Sequence, residues 1–395
     1  MATSRPPILV LGSGLTVLGS IRLLAAAGYH PFVVGDNPGI ERRSRWYRAA
    51  PKSTSSVRPE DDLPAWLHGL PLERAVLLPC SDDWMLEVAR RADEVRDRFP
   101  TSVSSHDVLE TLIDKWQLAR VLADLRLPHP RTIPLDSSTA VADIPDSALE
   151  HGFIKPRDSA KFFQHFGVKA FHVSSRQDLA EKLAETTRRN LSVELQEYVP
   201  GPAQNHFYVE GFIDRDRRVR AIFTRQRLRM SPPDFGNSTL FESVLPSVIP
   251  DAVETVTTLL THLRFRGIFS VELKRDERDG ICRLIEVNAR PWWYVEFAGQ
   301  CGVDVASMYV ADALDEPVPS VDSFRVGKAC VYPYYDYFAC RAMRESGELS
   351  MLGWAKSWLT ATQPVFRWND PLPALAIARV LSGRLGRMFG FAGRR

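Results

Sequence analysis

The stretch RLIEVNARPWW, Arg283 to Trp293, sets Glu286, Asn288 and Arg290 at alternate positions directly before a proline and two tryptophans. In a β-strand successive side chains point to opposite faces, so these three share one face while Ile285, Val287 and Ala289 share the other. Two readings are open for such a face: a half-exposed strand with a surface ion pair, or a strand turned toward a polar ligand. The segment upstream bears on the choice. FSVELKRD places Glu272 on a strand that should pair with LIEVNAR across a turn near Asp279 and Gly280. Two glutamates and an asparagine facing one another are oxygen ligands of the kind taken by Mg²⁺ or Mn²⁺, completed by phosphates.

Phosphates also need cations. Lys115 stands in LIDKWQLARVLADLRLPHP, and Lys155 ends the apolar run GFIK before Pro156. A lone lysine is ordinarily a surface residue, so each gains meaning only beside the carboxylate hairpin.

The chain of 395 residues is too long for one ordinary core and suggests two or three domains. A net charge of +2 removes the general electrostatic case for nucleic-acid binding. The five cysteines are scattered and free of C-x-x-C spacing, which points to a reduced, cytoplasmic protein without a structural zinc site. The apolar N-terminal run mimics a signal peptide, but Gly12, Gly14, Gly19 and Arg22 interrupt it and YHPFVVGD follows as a second strand. Strand, turn, helix, strand is the better reading.

Alternating apolar and amphipathic segments over the first hundred residues predict a doubly wound parallel α/β domain with ligand loops at Gly12 to Thr16, Asp36 to Pro38 and Cys80 to Asp83. GSGLTVLG lacks the dinucleotide spacing G-x-G-x-x-G, although Asp36 sits where an NAD enzyme carries its ribose acid. An anion-binding βα turn is the alternative. One or two helices are expected from Ser105 to Leu125. GFIKPRDSAKFFQHFGVKAFHV reads as two strands around a polar loop, HFYVEGFIDRDRRVRAIFTRQRLRM as a hairpin, and SPPDFGNSTLFES as a loop. After Asp370 there is no acid, while five arginines stand among apolar residues. That tail is either a helix packed on its own domain or an amphipathic contact with an anionic membrane.

The ordered segments DKWQLARVLADLRLPHPRT, GFIKPRDS, VELQEYVPGP, GIFSVELKRD and LIEVNARPWW resemble the ATP-grasp superfamily, from Ser105 to about Pro319. The domain upstream is similar to that of its carboxylate-amine ligases, and the E-x-N-x-R ending looks like that of biotin carboxylase and carbamoyl-phosphate synthetase. The resemblance implies an α/β and α+β protein: an N-terminal doubly wound parallel α/β domain (1–104), a two-lobed ATP-grasp domain (105–320), and a C-terminal tail or cap (321–395). It further implies ATP between the lobes, with Lys115 and Lys155 on phosphates and Glu197, Tyr198 and Val199 as the adenine hinge, Glu197 accepting from the adenine amino group. Glu272, Glu286 and Asn288 would ligate Mg²⁺ or Mn²⁺, and Arg290 would stabilise the transferred phosphoryl group. The chain departs from the pattern twice. Gln204 stands where relatives often carry a ribose-binding acid, and the loop after Lys155 has only Gly167, with Ser159, Lys161 and His165 as substitute donors.

Substrate residues are less legible. Arg225, Arg227 and Arg229 share a strand face, so an arginine there, Arg225 or Arg229, would hold a substrate carboxylate; three solvated arginines fit as well. Trp292 and Trp293 are either core or the wall of an acceptor pocket. The implied activity is joining a carboxylate to an amine through an acyl phosphate, with amino acids or a cell-envelope precursor as substrates and no nucleic-acid partner; homo-oligomerisation stays open. The alternatives are a bicarbonate-activating carboxylase or carbamoyl-phosphate-type enzyme, an NAD-dependent oxidoreductase, and a non-catalytic nucleotide-binding regulator.

Overall fold

The computed structural model describes residues 5–35, 39–51, 57–135, 141–149, 152–156, 159–168, 170–232 and 236–378. Asp36 and the arginines from Arg379 onward, both invoked above, lie outside the described residues.

The chain opens with β1 (Ile8–Leu11), α1 (Gly14–Ala26), β2 (Pro31–Val34), α2 (Leu63–His68), β3 (Val76–Pro79) and α3 (Asp82–Val95). The strands form a parallel sheet in the order β2-β1-β3, with β1 and β3 wholly buried. That burial on both faces explains why they read as unbroken apolar runs. Helices α4 (His106–Ile113) and α5 (Lys115–Asp124) follow; Asp114 caps α5 by accepting from the Trp116 and Gln117 backbone N–H groups, which sets Lys115 in the first turn.

A small lobe contains β4 (Thr132–Leu135), α6 (Asp146–Leu149), β5 (Gly152–Pro156), α7 (Ser159–Phe166), β6 (Phe171–His172), α8 (Arg176–Arg188) and β7 (Val193–Glu197). Its sheet runs β4-β7-β5-β6 and is antiparallel throughout. The segment expected as a polar loop after Lys155 contains a helix instead. Phe162 is fully buried, and it packs with Phe166 and Phe171 at ring separations of 4.7–5.0 Å; aromatic burial outweighs the loop-like polarity of the neighbouring residues.

The large lobe holds β8 (His206–Ile213), β9 (Val219–Ser231), β10 (Asn237–Ser243), α9 (Pro250–His262), β11 (Gly267–Arg275), β12 (Cys282–Asn288), α10 (Val295–Cys301), α11 (Val305–Ala313) and β13 (Ala329–Val331). Its sheet has the order β12-β11-β8-β9-β10-β13. Strand β10 corrects the expectation of a loop across SPPDFGNSTLFES: Thr239, Leu240 and Phe241 are buried. Helices α12 (Pro333–Glu345) and α13 (Met351–Thr360) follow.

One face of the large sheet meets α4, α5 and α9 through Phe207, Val209, Phe269 and Val271. The opposite face places Phe212, Phe223 and Phe241 in one core with Ile8 and Val10 of the first sheet and with α10 and α11. Gly19, the third glycine of GSGLTVLG, has a packing role there: a Cβ on it would lie 3.0 Å from Val295 Cγ1, so its small size lets α10 close on α1. No helix among the described residues is long and apolar enough to cross a membrane.

Candidate active site

A cavity of about 390 Å³ lies between the lobes. Lys115, Phe153, Lys155, Gln196, Glu197, Tyr198 and Val199 line one side, and His206, Arg225, Arg227, Glu272, Lys274, Glu286, Asn288, Arg290, Trp292 and Trp293 are among those lining the other. Residues named from five separate sequence segments therefore meet in one place.

The β11–β12 hairpin pairs Ser270 with Asn288 and Glu272 with Glu286, directly opposite one another. Past Glu286 the register shifts by a β-bulge. The alternation expected for Ile285 fails for that reason: Leu284 and Val287 enter the core, while Ile285 lines the cavity beside Glu286. An extra residue on one strand of a pair turns the chain beyond it to the other face. Asp276 and Gly280 close the turn, with the Gly280 N–H donating to the Asp276 carbonyl at 2.8 Å.

Glu272 is gripped by two neighbours on a single oxygen. His206 Nδ1 lies 2.8 Å and Arg227 Nη2 3.0 Å from its Oε1. Burial alone would raise the Glu272 carboxyl, but Arg227 and the His206 hydrogen bond outweigh it and hold the group well below the usual carboxylate range. His206 is pushed the other way, down to about 4, first by burial and then by Arg227. At neutral pH the pair is thus a carboxylate accepting from a neutral imidazole N–H. An ionised glutamate with a second glutamate opposite and an amide two residues further along the strand is a hard-oxygen donor set that fits Mg²⁺ or Mn²⁺.

Lys115 reaches across to the small lobe, its Nζ donating to the Pro156 carbonyl at 3.0 Å, and Lys155 Nζ donates to Gln196 Oε1 at 3.2 Å. Lys274 lies over the Tyr198 ring, 4.6 Å from its centroid. Glu197, expected to accept from the adenine amino group, lines the cavity and also has partners inside the protein. Its carboxylate takes the Arg131 backbone N–H at 3.1 Å and Arg278 Nη2 at 2.6 Å, so its charge is engaged within the protein. Gln204 is not among the cavity-lining residues. Its amide donates to the Leu228 carbonyl at 3.1 Å, while its backbone carbonyl accepts from Gln226, so the position that often carries a ribose-binding acid in relatives is occupied by a side chain engaged within the protein.

The three arginines of β9 do share a face, and each finds a separate acid. Arg225 gives Glu210 Oε1 two bonds of 3.0 and 2.9 Å, under the Tyr208 ring. Arg227 takes Glu272 and the Tyr208 hydroxyl. Arg229, expected at the substrate, lies outside the cavity and forks onto Asp336 of α12 at 2.9 and 2.7 Å. Only Arg225 of the two candidates reaches the site. Two donors at this end, Arg225 Nη1 and Trp292 Nε1, are buried without a hydrogen-bond partner, a costly state that an acceptor group would relieve.

Arg290 is held bidentately by Asp82, at 2.7 and 3.1 Å. Asp82 opens α3, whose cap is Ser81 accepting from Trp84 N–H. The strand-end loop Cys80 to Asp83 therefore touches the site. The glycine loop does not act as an open anion cradle: Glu41, fully buried, accepts from Gly14 N–H at 2.9 Å and Gly39 N–H at 2.6 Å. The chain's own carboxylate stands where a bound phosphate would accept the first-turn N–H, which counts against the NAD reading.

Sequence reasoning passed over His206, Lys274, Asn237 and Ser238. Lys274 had a signal, since it lies two residues beyond Glu272 on the same strand. Asp82 lies within the strand-end loop Cys80 to Asp83 that was expected to face a ligand, but its pairing with Arg290 had no signal, because the two are 208 positions apart.

This architecture, an α/β layer followed by two antiparallel lobes enclosing a lysine- and carboxylate-lined cavity, is the ATP-grasp fold. Among solved structures, the chain is similar to N5-carboxyaminoimidazole synthase from Aspergillus clavatus, captured with ADP and 5-aminoimidazole ribonucleotide (TM-score 0.60, 14% identity, 82% of this chain and 80% of that one). It is likewise similar to an L-amino acid ligase from Bacillus licheniformis (TM-score 0.60, 15% identity, 83% and 79%). In sequence it is 23% identical over 250 residues to the D-aspartate ligase of Enterococcus faecium (strain Aus0004), a match spanning 61% of this chain and 59% of the relative. No family model matches the sequence.

Proposed function

We propose that the protein is an ATP-dependent ligase that activates a carboxyl group as an acyl phosphate and passes the acyl group to an amine. The observation that supports this most is the placement of Glu272 opposite Glu286, with Asn288 beside them, in one cavity with Lys115 and Lys155 of the facing elements. A carboxylate oxygen attacks the γ-phosphorus of ATP, the bond to the β-phosphate oxygen breaks, and ADP leaves. The amine then attacks the acyl carbon, phosphate departs with the C–O electron pair, and the new amide nitrogen loses a proton.

Lys115 and Lys155 offset phosphate charge, and Tyr198 and Val199 border the base. Glu272, Glu286 and Asn288 would hold Mg²⁺ or Mn²⁺, which supplies charge neutralisation at the phosphate oxygens. Asp82 orients Arg290 toward the reacting group, a fixed charge that needs no rearrangement as the acyl phosphate forms. Arg225, Trp292 and Trp293 form the acceptor end, and the unpartnered donors there favour a substrate bearing a carboxylate.

The sequence match to a D-aspartate ligase favours an amino acid as the activated acid, with an amino-acid-bearing cell-envelope precursor as a candidate amine. A second reading, activation of bicarbonate with carboxyl transfer to an amine, is favoured by the solved structures, where enzymes named for a carboxylated aminoimidazole product recur. The test is ADP release with Mg²⁺-ATP against a panel of amino acids, small carboxylates, amines and bicarbonate, with products identified by mass. ADP formation that needs an organic acid and amine and ignores bicarbonate supports the ligase. Strict dependence on bicarbonate supports the second reading, and saturable NAD binding without ATP turnover overturns both.

A further inference from the structure

The two oxygens of Glu272 are not equivalent. Oε1 accepts from His206 Nδ1 at 2.8 Å and from Arg227 Nη2 at 3.0 Å, and a carboxylate oxygen has two lone pairs to give. Oε1 is therefore filled. Oε2 accepts no hydrogen bond among the described residues, and the side chain lines the cavity between the lobes. Nothing comparable holds Glu286 on the facing strand, which accepts no hydrogen bond among the described residues.

The donors on Oε1 are themselves fixed. Arg227 is buried on β9; its Nε donates to Ser238 Oγ at 2.8 Å, and its Nη2 also donates to the Tyr208 hydroxyl, which lies 3.1 Å from the same Ser238 oxygen. His206 is buried at the start of β8, the strand whose Tyr208 pairs with Glu272. Three neighbouring strands thus converge on one oxygen. Turning the carboxylate to present both oxygens to a cation would break both bonds and leave buried donors unpaired, a costly state. The asymmetry bears on which cation is accepted. Ca²⁺ gathers roughly 6–8 oxygens and often takes both oxygens of a carboxylate, whereas Mg²⁺ keeps a tight octahedron completed by waters and phosphates.

We infer, on the basis of the metal–nucleotide reading above, that His206 and Arg227 set the cation selectivity of the site: by filling Oε1 they restrict Glu272 to a single ligating oxygen, which favours Mg²⁺ or Mn²⁺ over Ca²⁺. The test is calorimetric titration of ATP into the full chain with Mg²⁺, Mn²⁺ or Ca²⁺ present. Wild type is compared with Arg227→Met, His206→Phe and His206→Asn, the last of which returns an amide donor near the position of Nδ1. ATP is expected to bind the wild type about tenfold or more tighter with Mg²⁺ than with Ca²⁺. That ratio is expected to fall to about threefold or less in Arg227→Met and His206→Phe and to recover in His206→Asn. Loss of the Arg227 charge by itself moves both cations together, so the ratio isolates the geometry. Should Arg227→Met fail to fold, the two His206 variants decide the matter. Equal binding with Mg²⁺ and Ca²⁺ in the wild type, a ratio that the variants leave unchanged, or a loss in His206→Phe that His206→Asn does not restore overturns the inference and leaves the metal site standing. ATP binding by the wild type that ignores all three cations overturns both.

Discussion

Arg225, Arg227 and Arg229 stand at alternate positions on one strand, yet they do three different things. Alternation was readable and correct, because a strand's period is a local property. Their partners were not, since Glu210, Glu272 and Asp336 come from three other elements and only the sheet order brings them near. Arg229 shows the consequence. Asp336 is fully buried and also accepts from Thr239 Oγ1 at 2.7 Å and Trp358 Nε1 at 2.6 Å. Removing one partner of a buried pair leaves an uncompensated charge, so Arg229→Met is expected to cost about 3–5 kcal/mol of stability, read by denaturant unfolding, with the KM for ATP unchanged in the folded fraction. Burial would raise the Asp336 carboxyl, but Arg229 and its other donors hold it below the ordinary value of 3.8. A carboxyl with a lowered folded pKa contributes stability above its unfolded pKa and loses it as pH falls through the folded one. Wild-type stability should therefore decline below about pH 4, and Asp336→Asn should flatten that part of the curve.

Elements were legible where one periodicity ruled and illegible where packing overrode it. The β8–β9 and β11–β12 hairpins follow from their alternation and turn residues. The bulge that moves Ile285 to the cavity leaves no mark on composition, and α7 looked like a loop because its buried aromatics sit among polar residues. The β8–β9 pair also depends on one residue's size: a Cβ on Gly211 would fall 2.1 Å from the Ala221 carbonyl oxygen and 2.9 Å from Phe269 Cζ. Gly211→Ala must push β9 away from β8, at a cost of roughly 1–3 kcal/mol. Because β9 carries Arg225 and Arg227 into the site, thermal unfolding should fall and catalysis should weaken together, in contrast to Arg229→Met.

At the scale of the molecule, the parallel first sheet and the two lobes were apparent from the order of strands and helices, but not that the first sheet and the large lobe share one core. Ile8 and Val10 pack with Phe212 and Phe223 in that core, and Tyr309 of α11 donates to the Leu77 carbonyl of β3 at 2.7 Å. The same joint brings Asp82 to Arg290, so the N-terminal layer contributes to the site through a side chain, while its glycine loop is closed by Glu41. Long-range joints of this kind depend on three-dimensional closure and carry no spacing signal.

The central claim is that the opposed glutamates of β11 and β12 make the cavity a metal–nucleotide site. Calorimetric titration of ATP into wild-type protein and Glu286→Gln, with and without Mg²⁺, tests it without knowledge of the substrates. Mg²⁺ is expected to tighten ATP binding to the wild type by about tenfold or more, at least 1.4 kcal/mol, and this gain is expected to disappear in Glu286→Gln. ATP binding that is absent, or that responds to Mg²⁺ equally in both proteins, would contradict it.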